Sequence, residues 1–188
     1  MRMSMRKADA ITQLVIVVAC SLLCLAGDLF AEGATHPVVQ VEVPQSFGPR
    51  PLEDQTKDAV VRDYLKCWRQ MSQAFTGNDV GALDGAFTGI AREKLAGVIA
   101  QQQRANITTS YRDRSHHITF VFYSQEGLSI EVVDDAEYDV GLSDDGRFQA
   151  MQHVKARYVA VLTPTEVSWK VRMFEGDADG MDDITVQK

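Results

Sequence analysis

Leu128-Ser129-Ile130-Glu131-Val132-Val133-Asp134-Asp135-Ala136-Glu137-Tyr138-Asp139-Val140-Gly141-Leu142 is where this chain declares its fold. Even positions carry Leu128, Ile130, Val132, Ala136, Tyr138, Val140 and Leu142, with Asp134 the one interruption. Odd positions carry Ser129, Glu131, Asp135, Glu137 and Asp139. A period of two with one apolar face predicts a half-buried strand. Ser143-Asp144-Asp145-Gly146 then predicts a hairpin turn. The returning strand keeps the parity, with Val154, Ala156, Tyr158, Ala160 and Leu162 inward and His153, Lys155 and Arg157 outward. A hairpin centred near Gly146 sets Asp139 beside His153, Glu137 beside Lys155 and Asp135 beside Arg157. Cross-strand pairs of this kind contribute roughly 0.2–1 kcal/mol each and oppose a one-residue slip, which would bury the charges.

Two more strands flank the hairpin. Before it, Ile118, Phe120 and Phe122 alternate with Thr119, Val121 and Tyr123. After the Thr163-Pro164-Thr165-Glu166 turn, Trp169, Val171 and Met173 alternate with Lys170, Arg172 and Phe174. The expected sheet is a four-stranded antiparallel meander.

N-terminal to the sheet the period changes. Val61, Tyr64, Leu65, Trp68, Met71 and Phe75 recur every three or four residues, opposite Lys57, Arg62, Lys66 and Gln70. This predicts a helix from Glu53 that ends at Gly77. A short second helix is expected from Val80 to Phe87 and a third from Ala91 to Ala105, with Leu95, Val98 and Ile99 inward. His116 and His117 open the first strand and point to opposite faces, so they cannot share a metal ion.

The remaining segments bound the domain. Residues 10–27 hold no charge and lie between Arg2, Arg6, Lys7 and Asp9 on one side and Asp28 on the other. This reads as an export segment over residues 1–31, held as a transmembrane anchor or cleaved as a signal peptide near Ala31, with lipidation of Cys20 a third possibility. The domain is then expected outside the cytoplasm, at an inner membrane, or periplasmic or secreted if cleaved. Residues 32–52, rich in proline and valine, read as an extended spacer, 53–175 as the domain, and 176–188 as an acidic mobile tail. The aspartates of that tail lack the spacing of a calcium loop. Beyond residue 31 there are 16 basic and 24 acidic residues, net −8, a poor composition for binding nucleic acid. Cys67 is the one cysteine outside the export segment and reads as a buried apolar residue. No metal-ligand spacing and no cofactor fingerprint is present.

Three helices followed by a curved meander, closing on Arg157-Tyr158-Val159-Ala160-Val161-Leu162-Thr163-Pro164 and Trp169-Lys170-Val171-Arg172, resembles the nuclear transport factor 2-like (cystatin-like α+β) architecture. The resemblance implies a cone of helices against the concave side of the sheet. That cone holds ligands in enzymes such as ketosteroid isomerases and is packed shut in assembly modules. Inside it the candidate acid–base set is Asp134, Tyr138 and Tyr158. On the outward face Val121, Tyr123, Val133, Val159, Val161 and Phe174 are candidates for an interface with a protein partner or a second copy. The first expectation is a non-enzymatic, membrane-tethered interaction domain that presents a sheet face or the cone mouth to a protein partner, a topology that also resembles the assembly scaffold of type IV secretion complexes. A small isomerase- or dehydratase-like enzyme, a ligand binder or an accessory envelope domain is the alternative.

Overall fold

The computed structural model describes residues 36–176 apart from Ser46. The expected export segment lies outside the described residues, and so does the acidic tail from residue 177. No helix among the described residues is long and apolar enough to cross a membrane.

Helix α1 spans Asp54–Gly77 and buries Val60, Tyr64, Cys67, Trp68, Met71, Ala74 and Phe75, a stripe of three- and four-residue steps. It stops at Asn78, whose left-handed φ of 50° lets its backbone N–H bond back to Ala74 O. The next segment corrects the expected second helix. Val80–Leu83 forms a single 3-10 turn, capped by Asp79, whose side chain accepts from Gly81 N. Gly81 and Gly85 disfavour helix here, and the segment instead ties down the sheet edge through a bridge from Phe87 to Val171. Helix α2, Gly89–Ala105, buries Ala91, Ile99 and Gln102, while Val98 turns outward at 44% exposure.

The sheet is mixed and has five strands in the order β1-β2-β3-β4-β5, not four. Strand β1 (Val38–Glu42), within the expected spacer, runs parallel to β2 (Ile107–Tyr123), with Val41 opposite Ile118. The others, β3 (Ile130–Asp144), β4 (Arg147–Pro164) and β5 (Trp169–Gly176), form the antiparallel meander. The hairpin register is the expected one: Asp139 faces His153, Glu137 faces Lys155 and Asp135 faces Arg157. Asp145 and Gly146 make the turn with φ of 48° and 72°, the two positive values that a two-residue hairpin matching strand twist requires.

Bulges correct the assignment of faces. A register shift between Phe120 and Phe122 turns Phe122 outward at 40% exposure and buries Tyr123 at 5%. A second shift, between Val161 and Leu162, carries Phe174 to the inner face opposite Ala160. Tyr123 and Phe174 therefore leave the expected outward patch. Val161 keeps the outer face, between Glu131 and Met173, but is covered. Val159 is half-buried and Val121 is exposed.

Candidate functional site

The side chain at the centre of the cone is Trp68, delivered by the apolar stripe of α1. Its ring lies 5.0 Å from His116, 5.4 Å from Tyr138, 5.2 Å from Tyr158 and 5.7 Å from Phe174, centroid to centroid. Tyr158 and Phe174 stack face to face at 4.8 Å. Five rings, those of Trp68, His116, Tyr138, Tyr158 and Phe174, thus pack together at this point.

Beneath Trp68 lies a buried polar cluster. Asp134 is fully buried, and its Oδ2 accepts from the Tyr64 hydroxyl at 2.9 Å and pairs with His116 Nδ1 at 2.8 Å. On the far side of the imidazole, Asp113 Oδ2 lies 3.8 Å from His116 Nε2. Burial by itself would lower the His116 pKa, but the flanking side chains of Asp113 and Asp134, the latter hydrogen-bonded to Nδ1, push it up to about 9, while Nε2 is buried without a hydrogen-bond partner. His116 is therefore an imidazolium at neutral pH, set between the side chains of Asp113 and Asp134. Burial, then the charge of Asp134, raises the Tyr64 pKa well above its usual value and keeps the phenol a donor.

Asp134 thus stands on the inner face. Tyr138 and Tyr158 share a hydrogen bond through their hydroxyls, alongside Trp68 and apart from the Asp134 contacts. Both phenols are pushed up by burial first. The members that sequence reasoning passed over are His116, Tyr64 and Trp68. His116 shares the even parity of Ile118 and Phe120, and Tyr64 and Trp68 are four residues apart on one helix face, so both signals were present. Chemically, the cluster can hold and exchange a proton, and Asp134 Oδ1 is buried without a hydrogen-bond partner, leaving it acceptor capacity. Among the described residues no group of three or more His, Cys, Asp or Glu side chains is arranged to hold a metal ion. Cys67 is buried, bonds to Asp63 O and Ala86 O, and has its thiol pKa pushed up to about 12 by burial, which leaves it a poor nucleophile.

The outer face of the sheet carries a shallow groove of about 480 Å³, lined among others by Val38, Gln40, His117, Asp135, Lys155 and Arg157. Its charges are those of the cross-strand ladder. Arg157 forks onto Asp135 through Nε at 2.7 Å and a second nitrogen at 3.0 Å, and Arg114 does the same to Asp139 at 2.8 and 2.7 Å.

No protein-family profile matches the chain, and no curated protein does. Solved structures do. The intermembrane-space region of the chloroplast protein ARC6 aligns with a TM-score of 0.55 at 14% identity, over 68% of this chain and 98% of that one. Aln2 from a Streptomyces species aligns at 0.47 and 15% identity, over 70% and 96%. An NTF2-like protein with a cystatin-like fold from Novosphingobium aromaticivorans aligns at 0.42 and 13%, over 69% and 95%. Helices packed against one face of a long mixed sheet are the α+β fold that this chain shares with the ARC6 region.

Proposed function

We propose that this nuclear transport factor 2-like domain is a non-enzymatic interaction module, tethered to a membrane by residues 10–27, that presents the outer face of its sheet to a protein partner. One observation carries the reading: Trp68 occupies the centre of the cone and seals Asp134 and His116, each at 1% exposure or less, beneath it. With the interior occupied, recognition falls to the surface. There the exposed Val121, the half-buried Val133 and Val159 and the polar groove beside His117 lie along a charged ladder that would set orientation. ARC6, similar in fold, is likewise described through a region that lies in an intermembrane space.

A photo-crosslinking amino acid placed at His117, and in a parallel sample at Arg104 on the helical side, tests the reading in the full-length chain. Adducts of one defined mass from position 117 and none from 104 are expected. Equal labelling from both positions, or from neither, would overturn it. N-terminal sequencing of the membrane-bound form tests the tether, which a start at Glu32 would remove.

A second reading rests on the acceptor capacity of Asp134 beside a protonated His116 and a Tyr64 donor, a set able to bind or isomerise a small carbonyl compound. It requires Trp68 to swing aside. In a Trp169→Phe background the fluorescence of Trp68 reports this directly: emission accessible to acrylamide favours the second reading, shielded emission the first.

A further inference from the structure

The helical side of the domain holds a second concavity, of about 780 Å³, between α1 and the turn joining β4 to β5. Its walls carry Arg62, Lys66, Arg69 and Lys170 and a single carboxylate, Asp63. That carboxylate is already committed. Asp63 is 5% exposed, takes the Arg62 guanidinium at 3.0 and 3.2 Å, and accepts the backbone N–H of Trp169 at 2.8 Å. Lys170 Nζ donates to the Asp84 carbonyl, which leaves its charge uncancelled. Lys66 and Arg69 form no ion pair among the described residues. Three cations therefore converge on one groove of a domain whose composition is otherwise acidic. Val167, 88% exposed, stands at the rim.

From this convergence we infer that the groove binds an extended acidic peptide segment of a partner protein. Spacing selects a chain over a single small anion. Lys66 and Arg69 follow one face of α1 about 4.5 Å apart along its axis, at 1.5 Å of rise per residue, and Lys170 on β5 lines the same groove. In an extended peptide, alternate side chains on one face recur about every 6.7 Å, so successive carboxylates of an Asp-x-Asp-x-Asp pattern reach cations on both walls, and an apolar side chain of the same segment covers Val167. Nucleic acid fits less well, since the groove is lined by no aromatic ring on which a base could stack.

This groove is built by α1 and the β4–β5 turn, the groove beside His117 by strands β1 to β4, and the inference stands whether or not the sheet face docks a partner. The test uses the full-length chain and a synthetic peptide of alternating aspartate and serine with one central valine, followed by fluorescence anisotropy. Lys66→Glu should weaken binding about tenfold, since it turns one attraction into a repulsion. Arg104→Glu, the same charge change elsewhere, should alter it less than about twofold. Inorganic phosphate at equal charge should not compete. No peptide binding, an equal effect of the two variants, competition by phosphate at equal charge, or tighter binding of a single-stranded oligonucleotide would each overturn the inference. The unfolding midpoint of Lys66→Glu, measured alongside, confirms that the variant is folded, and Arg69→Glu repeats the test at a second position.

Discussion

His116 is held by two carboxylates on different parts of the sheet, and this makes it the main source of pH dependence near neutrality. Its pKa is raised from the ordinary 6.5 to about 9. A raised folded-state value stabilises the fold fully below the unfolded pKa and loses that contribution as pH climbs through the folded one, so the window runs from about 6.5 to 9. Over that window the domain is expected to lose about 3 kcal/mol, read as a falling urea midpoint, and His116→Gln should flatten the slope. An unchanged slope in the variant would assign the dependence to another group. The parity of His116 placed it inward with Ile118 and Phe120, yet its neighbour His117 makes the pair look like an exposed strand edge. Asp113 is three residues away, but Asp134 and Tyr64 are 18 and 52 residues away, beyond the reach of any local pattern. Asp134 was visible for the opposite reason, as a lone carboxylate in a strict apolar alternation.

At the scale of elements, the β3–β4 hairpin was readable because everything that fixes it is local: two positive-φ residues in the turn, one parity on both strands, and opposite charges at matched distances from Gly146. The Asp135–Arg157 pair tests whether those charges hold register. Arg157→Asp should cost roughly 0.5–1 kcal/mol by placing like charges opposite one another, and the exchange Asp135→Arg with Arg157→Asp should recover most of it in a double-mutant cycle. Full additivity of the two single changes would show the pair to be idle. What could not be read were features defined by a partner strand. β1 is five residues long and pairs in parallel with β2, so its valines look like spacer until the neighbour is known. The bulges at Phe120/Phe122 and Val161/Leu162 each insert one residue into one strand only, which moved Tyr123 and Phe174 across the sheet with no mark in their own sequence. The 3-10 turn at Val80–Leu83 took the place of a helix because its glycines and the Phe87–Val171 bridge outweigh two correctly spaced apolar residues.

For the molecule as a whole, the proposed function turns on whether the cone is a container or a plug, and Trp68 is the side chain on which the test rests. Its ring touches the polar cluster on one side and the Tyr138–Tyr158–Phe174 wall on the other, so no smaller side chain at that position could seal both. Trp68→Ala is expected to cost about 3–5 kcal/mol through lost burial and the cavity left behind, measured by denaturant unfolding. Because that cavity would be lined largely by aromatic rings, a small apolar molecule such as indole should bind the variant and raise its unfolding temperature while leaving the native chain unchanged. Stabilisation of the native chain by indole as well would mean that the cone opens in solution and that Asp134 and His116 are reachable. Stabilisation confined to the variant would support the proposed reading, in which Asp134 and His116 stay sealed and a partner meets the surface, with its charged ladder on one side and its basic groove on the other.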